Sequence, residues 1–336
     1  MEHMKVFMVG DFTSDNGPAN ANKTIYRAVQ KNEMVRVSKA KGKLFRVMES
    51  FFQMIWCEVC IICSASELNH IVLKFSKILR KKVLMIAHGS RPLEYVINGG
   101  QKNDVQYDKY VSYERAMFSS VDKVLCVSEM FCNDLKEMYP EYSSKIDFIN
   151  NIVDINVTLP NALKRRDNVI ISTGGGMRRK RNLVVAQAIE YLNRTGQDKY
   201  EYIVIGQGLN DGVSIKSYDF VTYYEFLPHE QVLQMMGESA LYVQNSEYDT
   251  FGLAVVEAFG AGASLLISQF VGCKSIFGEL CPQDVIMNID DIEEVADKIK
   301  YLMQNPNNER LEKQFTPYYI SEEFVATKIG KIMREL

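Results

Sequence analysis

One stretch of the chain decides its fold: NSEYDTFGLAVVEAFGAG, from Asn245 to Gly262. It continues an apolar run, passes through an acidic loop and enters a segment with the composition of a helix. The same order recurs along the chain and predicts βα units around parallel sheets that are buried on both faces. The apolar runs of the first half are KVFMVGDF, VCIICSA, KVLMIAHG, KVLCVS and DFINNIVD. Those of the second half are NVIISTG, YIVIG, VTYYEF, LYVQNS, SLLIS and DVIMN.

The two sets of runs indicate two domains. A chain of 336 residues exceeds the usual size of one hydrophobic core. Between the sets lies a polar segment with a proline, VTLPNALKRRDN, from Val157 to Asn168. We therefore predict Rossmann-like doubly wound α/β domains at residues 1–156 and 157–316, with a cleft between them. Residues 317–336 are predicted to form an amphipathic helix that is N-capped by Ser321.

Composition argues against several classes of protein. No run of about 20 apolar residues is present that could span a bilayer. The N-terminal MEHMKVFMVGDF lacks the long apolar core and the cleavage site of a signal peptide, so we expect a cytoplasmic protein. A net charge of −3 gives no global reason to expect nucleic acid as a partner.

The cysteines fit a reducing compartment. They are seven, an odd number, and lie mostly in apolar segments, which favours free thiols over a disulfide framework. Cys57, Cys60 and Cys63 form a CxxCxxC string that also suggests a metal site. In a buried strand, however, Cys60 faces away from the other two, so we expect ordinary core packing and no metal.

The segment from Asn245 to Gly262 also carries candidate chemistry. Asp249 lies in its loop and Glu257 about two turns into its helix. The backbone N–H groups from Thr250 to Leu253 lie at a helix start, where such groups can donate to ligand hydroxyl or phosphate oxygens. The two carboxylates can bind polyol hydroxyls, one on a sugar ring and one on a ribose. The alternative is an ordinary helix start with an unrelated internal Glu.

The order acid, FGL and Glu resembles the E-x7-E signature of glycosyltransferase family 4. Members of that family are retaining, nucleotide-sugar-dependent enzymes with the two-domain GT-B fold, in which we expect the C-terminal helix to pack back on the first domain. This chain has Asp249 where the family usually has Glu. The resemblance implies that Asp249 contacts the transferred sugar and Glu257 the ribose. The backbone amides implied in donor binding belong to Thr250, Phe251, Gly252 and Leu253.

A glycine-rich, basic loop precedes a second predicted helix: STGGGMRRKRNLVVAQAIEYLN, beginning at Ser172. Glycines let a backbone approach a diphosphate closely, and the following cations can neutralise it. The loop is similar to the family's GRL…K(N/G) segment, and aligning Arg181 with the family Lys puts Gly176 at the place of the family Arg. We therefore predict Arg178, Lys180 and Arg181 as phosphate ligands. The alternative is a solvated basic loop.

Smaller matches complete the predicted donor site. The GQG turn from Gly206 to Gly208 resembles the family's GxG turn. The segment YEFLPHEQ lies where the nucleotide base stacks in the family, which makes Phe226 and Leu227 the predicted base neighbours. His229, in the same segment, is predicted to be a surface residue.

The first half offers fewer candidates. Gly17 lies in the loop after the first apolar run and fits the glycine that the family places under the donor phosphates. His88 directly follows the run KVLMIA, where family members often have a His that binds the acceptor or orients the reacting sugar. Glu114 is a weaker candidate on the acceptor side. For Gly17 and His88 the alternatives are a plain turn and a structural histidine.

A segment of the first half of the chain, from Lys39 to Trp56, is both basic and apolar. Lys39, Lys41, Lys43 and Arg46 precede or enter the stretch LFRVMESFFQMIW, which predicts a basic amphipathic helix. Such a helix suits contact with an anionic membrane surface. An ordinary solvated face over a core helix is the alternative.

The functional hypothesis is transfer of a hexosyl or related group from a nucleoside diphosphate sugar, such as a UDP-sugar, to an acceptor hydroxyl. Glycan or lipid-linked acceptors and surface polysaccharide or glycoconjugate assembly are family-level expectations. The expected catalysis is electrostatic and needs no metal or other cofactor. The rival hypothesis is a non-catalytic GT-B-like protein that binds or stabilises another glycosyltransferase, and an epimerase is disfavoured by the acid-FGL-Glu order.

Overall fold

The two halves of the chain form separate contact units. The computed structural model describes residues 3–14, 17–40, 42–63, 67–155 and 165–336. Unit 1 contains Met1–Ile152 and Tyr318–Leu336, and unit 2 contains Val153–Pro317. Each unit is built on one six-stranded parallel sheet, so the predicted class of two parallel α/β domains is confirmed.

The predicted linker is mostly beyond what the structure describes. Residues 156–164, and Lys41 of the predicted basic segment, lie outside the described residues. The contacts place the division of the chain between Ile152 and Val153, slightly before the predicted boundary.

Unit 1 alternates strands and helices from its first residues. Its strands are β1 (Lys5–Val9), β2 (Met34–Val37), β3 (Val59–Cys63), β4 (Lys82–Ala87), β5 (Lys123–Cys126) and β6 (Ile146–Phe148). Its helices up to this point are α1 (Gly17–Val29), α2 (Lys43–Trp56), α3 (Glu67–Leu79), α4 (Arg91–Ile97), α5 (Val105–Ser120) and α6 (Glu129–Met138). The strand order is β2-β1-β3-β4-β5-β6. The central strands are apolar throughout because helices cover both faces of a parallel sheet.

Strand β2 is the element that the pattern of apolar runs does not reveal. Its four residues, MVRV, alternate between exposed and half-buried. It lies at the sheet edge and pairs only with β1. Because an edge strand has one neighbour and need not be covered on both faces, it carries no continuous apolar run.

Unit 2 repeats the architecture. Its strands are β7 (Arg166–Thr173), β8 (Glu201–Ile205), β9 (Val221–Tyr224), β10 (Ser239–Gln244), β11 (Ser264–Ser268) and β12 (Val285–Ile286). Its helices are α7 (Asn182–Thr195), α8 (Gly212–Lys216), α9 (His229–Glu238), α10 (Leu253–Gly260), α11 (Ile292–Gln304) and α12 (Asn308–Glu312). The strand order is β12-β11-β10-β7-β8-β9.

This order creates a topological switch point between β7 and β10. Strands that follow β7 directly in sequence lie on one side of it, and those that follow β10 lie on the other. The loops that leave the carboxyl ends of the two strands therefore meet at the position where open α/β sheets bind ligands. They are the glycine-rich basic loop after β7 and the acidic loop after β10.

The last helix, α13 (Glu322–Glu335), belongs to unit 1. Ser321 caps it as predicted, accepting a hydrogen bond from the Phe324 backbone N–H at 3.1 Å. The helix packs against α1, and its Arg334 pairs with the buried carboxylate of Glu33. Its apolar face thereby packs within unit 1, where Val325 and Ile329 are buried.

The thiols of the CxxCxxC string are buried. Cys60 and Cys63 lie in β3, whereas Cys57 ends α2 rather than lying in the strand, so the predicted strand starts two residues too early. Burial raises the pKa of Cys57 to about 11 and that of Cys63 to about 12, as expected for thiols in an apolar core. No group of His, Cys, Asp and Glu within the described ranges has the arrangement of a metal site.

None of the helices that the structure describes is long and apolar enough to cross a bilayer.

Candidate functional site

The glycine-rich loop after β7 is fastened to the turn after β8. The backbone N–H groups of Gly175 and Gly176 donate to the carbonyl oxygens of Ile205 and Gln207, at 3.0 and 2.8 Å. A Cβ on Gly176 would lie 1.6 Å from the carbonyl oxygen of Gly208, so only glycine allows this approach. The glycines therefore give the loop a fixed path past the turn.

The end of this loop is held by the following helix. Asn182, the first residue of α7, donates from Nδ2 to the carbonyl oxygens of Thr173 and Gly175, at 3.2 and 2.8 Å. Asn182 is itself buried, and its two hydrogen bonds hold the start of α7 next to the carboxyl end of β7.

An ion pair joins the two loops of the switch point. Lys180 Nζ lies 2.6 Å from Asp249 Oδ2, and the two side chains are only 12% and 18% exposed. Gln244 Nε2 donates to the same carboxylate oxygen at 3.0 Å. Behind Gln244 the Tyr242 hydroxyl donates to Gln244 Oε1 at 2.9 Å and lies 2.8 Å from Thr173 Oγ1. A continuous polar network thus positions Asp249.

The backbone also fixes Asp249. Its N–H donates to the carbonyl oxygen of Phe270, and its carbonyl oxygen accepts from the Gly272 N–H, both at 2.9 Å. Burial acts to raise the pKa of the Asp249 carboxyl, but the Lys180 ammonium, the Arg179 guanidinium and the Phe251 N–H outweigh it and lower the pKa below its ordinary value. Asp249 is therefore ionised at neutral pH.

Helix α10 begins at Leu253, at the end of the predicted row of backbone donors. Gly252 precedes it with a φ of 93°, and Phe251 is buried. The N–H of Phe251 donates to Asp249 Oδ1 at 3.3 Å, so this one of the predicted donors is occupied in the free protein. A short acidic side chain in a loop folds back on its own backbone in this way. Leu253 begins α10, and in its first turn the Val255 N–H donates to the Gly252 carbonyl oxygen at 3.1 Å.

The structure resolves which basic residue faces Asp249. Arg181 has a φ of 52°, the left-handed conformation that favours Gly or Asn, the residues that follow the Lys in the resembled segment. Its guanidinium lies 3.0 Å from Glu247 Oε2 and 3.5 Å from Asp290 Oδ1. Lys180, and not Arg181, is therefore the cation that faces Asp249. The placement of Arg181 in a separate ion pair does not favour it as a phosphate ligand.

The remaining basic residues of the loop differ in exposure. Arg178 is exposed at the start of a short 3-10 turn, Arg178–Lys180. Arg179 Nη1 lies 3.5 Å from the carbonyl oxygen of Tyr248, and its own carbonyl oxygen accepts from the Glu247 N–H at 2.8 Å. Both loops of the switch point are thus tied together by backbone as well as by charge.

Glu257 has a neighbour that the sequence did not reveal. His229 Nε2 lies 3.7 Å from Glu257 Oε1, because α9, which begins with His229, packs against α10. His229 is 65% exposed, as predicted for a surface residue, while Glu257 is 23% exposed. Burial raises the pKa of Glu257, and the nearby imidazole opposes that shift. No local pattern signals the pair, because its members are on different helices.

The predicted base neighbours lie in the connection between β9 and α9. Phe226 is 81% exposed and Leu227 is half-buried. A ring this exposed is available for stacking with a flat ligand.

In unit 1, His88 is held by α1. Its Nε2 lies 2.7 Å from Asn22 Oδ1, and Asn22 Nδ2 donates to the carbonyl oxygen of Asp11 at 3.0 Å. Since Asn22 uses its amide N–H there, its Oδ1 accepts and Nε2 of His88 carries the proton. Burial lowers the pKa of His88 to about 4, so the ring is neutral at pH 7. Gly17 is the exposed first residue of α1, and a Cβ there would meet nothing within 4 Å.

The carboxylate of Glu114, the weaker acceptor-side candidate, is engaged in hydrogen bonds within unit 1. It is buried and accepts from Ser90 Oγ, the Arg91 N–H and the Tyr139 hydroxyl, at 2.9, 2.8 and 2.8 Å. Burial raises its pKa, against the effect of these hydrogen bonds. Its carboxylate therefore fastens the start of α4 to the core of unit 1.

Comparisons with known proteins agree with this architecture. Residues 159–318 match the family model described as Glycosyl transferases group 1. No curated protein sequence matches the chain. Among solved structures, Anabaena HepE in complex with UDP has a TM-score of 0.74 at 13% identity, covering 99% of this chain and 100% of that one.

Two further solved structures are similar over almost the same length. Sucrose-phosphate synthase from Thermosynechococcus elongatus has a TM-score of 0.70 at 15% identity and covers 99% of each chain. WaaG, a glycosyltransferase involved in lipopolysaccharide biosynthesis, has a TM-score of 0.68 at 13% identity, covering 98% of this chain and 99% of that one. The protein therefore has the GT-B fold, and its residues 159–318 are similar to the domain described by the Glycosyl transferases group 1 model.

Proposed function

We propose that the protein is a retaining glycosyltransferase that moves a hexosyl or related group from a nucleoside diphosphate sugar to an acceptor hydroxyl. The observation that carries the proposal is the Lys180–Asp249 ion pair, which joins the two loops at the switch point of unit 2. A cation for the diphosphate and a carboxylate for the sugar are thereby held side by side. The match to the group 1 family over this unit supports the same function.

Unit 2 is proposed to bind the donor in a defined direction. Lys180, with exposed Arg178 nearby in sequence, contacts the diphosphate, assisted by the N-terminus of α10. Asp249 accepts hydrogen bonds from hydroxyls of the transferred sugar, and Glu257 accepts them from the ribose. Phe226 and Leu227 contact the base. HepE has been solved with UDP and with UDP-glucose, which makes UDP-sugars the first donors to test here.

The proposed chemistry is electrostatic stabilisation of the leaving diphosphate. As the glycosidic bond breaks, negative charge grows on the departing phosphate oxygens, and the Lys180 ammonium and the first turn of α10 are placed to stabilise it. This role needs no metal ion. Among the residues that the structure describes, no pair of carboxylates is identified for the double displacement of retaining glycosidases. The resemblance to glycosyltransferase family 4 supports retention through attack from the face that the diphosphate leaves, with the diphosphate assisting deprotonation of the acceptor.

The acceptor side is assigned to unit 1. The neutral ring of His88 is proposed to bind the acceptor or orient the reacting sugar, and Gly17 to lie under the donor phosphates. A glycan or lipid-linked acceptor, at the cytoplasmic side of a membrane, fits a role in surface polysaccharide or glycoconjugate assembly. WaaG, which shares the fold, is involved in lipopolysaccharide biosynthesis.

A donor screen tests the proposal. The purified protein is incubated with UDP-, GDP- and ADP-sugars, with and without lipid-linked acceptors, and release of the nucleoside diphosphate is measured. We expect release from one donor class, stimulated by an acceptor. Absence of acceptor-dependent release from every donor would contradict catalysis.

A non-catalytic binding partner is the second candidate. Two observations favour it: Asp249 stands where the resembled family has Glu, and Gly175 stands where it has Arg once Lys180 is aligned with the family Lys. A pure binding partner is expected to show no affinity for nucleoside diphosphates.

A further inference from the structure

Helix α2 exposes a continuous apolar face. The exposed fractions of its large apolar side chains are 70% for Leu44, 66% for Phe45, 49% for Met48, 38% for Phe51, 62% for Phe52 and 51% for Ile55. At 3.6 residues per turn these six positions fall within an arc of roughly 120°. Ser50 and Met54, on another side of the helix, are fully buried. The packing of unit 1 therefore does not explain the exposed face.

Helix α3 extends the face. Phe51 packs edge-to-face on Phe75 of α3, with ring centroids 5.3 Å apart. Ile78, one turn further along α3, is 74% exposed. We call the six residues of α2 together with Ile78 the apolar stripe. Exposed apolar surface of this extent marks an interaction site.

The surroundings of the apolar stripe are basic. Met34–Leu79 contains seven Lys and Arg but three Asp and Glu, whereas the whole chain has 39 and 42. Four of these cations, Lys39, Arg46, Lys74 and Lys77, are exposed, and none of them forms an ion pair with any described residue. The excess of positive charge is thus local and points to a negatively charged partner.

The acidic residue of α2, Glu49, is hydrogen-bonded to the backbone. Glu49 accepts hydrogen bonds from the backbone N–H groups of Lys39 and Ala40, at 2.9 and 3.0 Å. Its carboxylate therefore holds the connection between β2 and α2.

We propose that α2 and α3 dock on the surface of an anionic lipid bilayer. The apolar stripe enters the boundary between headgroups and acyl chains, and the flanking lysines and arginines contact anionic headgroups. Charge decides between this occupant and a second copy of the chain. Two copies joined through the stripe would bring two basic surfaces together, whereas an anionic bilayer supplies the opposite charge and an apolar interior.

Vesicle flotation tests the proposal on the full chain. Vesicles of equal parts phosphatidylglycerol and phosphatidylcholine are compared with vesicles of phosphatidylcholine alone. We expect binding to the anionic vesicles that weakens more than about tenfold in roughly 0.5 M salt. Phe45→Ser combined with Phe52→Ser, and separately Arg46→Glu combined with Lys74→Glu, should each reduce binding by more than about tenfold.

Matched controls lie elsewhere on the surface. Val105→Ser with Val213→Ser removes two side chains that are 89% and 84% exposed, and Lys300→Glu with Lys313→Glu reverses two exposed charges. Both controls should bind the anionic vesicles like the unaltered protein. Equal binding by the stripe variants would overturn the proposal. A second outcome would also overturn it: the unaltered protein is a dimer in sedimentation velocity, the Phe45→Ser, Phe52→Ser variant is a monomer, and neither protein binds vesicles.

Membrane docking and the proposed transferase activity are tested by separate measurements. All four altered residues of α2 and α3 lie in unit 1, outside the donor-binding residues of unit 2. Calorimetry of nucleoside diphosphate binding reports on unit 2, while flotation reports on the apolar stripe. If either nucleoside diphosphate binding or vesicle binding is not observed, the other measurement still tests its own proposal.

Discussion

Replacing Asp249 by alanine is expected to lower the rate of sugar transfer by about 10²–10³-fold. The change removes the carboxylate proposed for the sugar hydroxyls and leaves the Lys180 ammonium and the Gln244 amide without their common acceptor. Lys180 would then be free to turn from the position that the ion pair gives it. Steady-state transfer kinetics with the donor found in the screen measure the effect.

Unit 2 offers a closely matched control for this substitution. Glu294 and Lys298 of α11 form an ion pair at 2.6 Å with exposed fractions of 21% and 12%, almost those of Asp249 and Lys180. Glu294→Ala should therefore cost similar stability, as measured by the thermal midpoint, without the loss of transfer. If Asp249→Ala and Glu294→Ala retain the same rate, the assignment of Asp249 to the donor site is wrong.

The second large effect concerns the fold of the glycine-rich loop. Gly176→Ala should destabilise unit 2 by about 3 kcal/mol, because the added Cβ is forced against backbone atoms that cannot move independently. It would lie 1.6 Å from the Gly208 carbonyl oxygen and 2.4 Å from the Gly212 nitrogen. The free energy of unfolding from denaturant titration measures the change.

Gly212→Ala is the control for the loop prediction. Gly212 is in the same unit and close to the same turn, but its added Cβ would meet only the Tyr223 hydroxyl, at 3.5 Å. That variant should stay within about 1 kcal/mol of the unaltered protein. Equal stability of the Gly176→Ala and Gly212→Ala variants would show that the two loops do not approach as closely as described.

Local sequence patterns account for most of the fold. Every apolar run identified from the sequence overlaps a strand, and the central strands are apolar along their length because both their faces are buried. Edge strand β2 is not predicted because its four residues, MVRV, form no continuous apolar run. Cys57 was assigned to β3 although α2 extends to Trp56, which shows how poorly an apolar run marks the point where helix gives way to strand.

The candidate site was less accessible to sequence reasoning. The spacing of Asp249 and Glu257 predicts a loop and a helix that the structure contains, but the register of the basic loop depends on which side chain reaches across to Asp249. That is a contact over 69 residues of sequence, and only the structure separates Lys180 from Arg181. Tyr242 and Gln244 position Asp249 because they lie two residues apart on one face of β10. That shared face can be predicted only after the strand has been identified.

The central claim is that unit 2 binds the diphosphate of a nucleotide donor through Lys180. Isothermal titration calorimetry with UDP, GDP and ADP tests it most directly, using the unaltered protein, Lys180→Ala and the equally buried control Lys298→Ala. We predict saturable binding of at least one diphosphate to the unaltered protein and to Lys298→Ala, weakened about tenfold or more in Lys180→Ala. Absence of binding to the folded, unaltered protein, or equal affinity in all three, would contradict the claim.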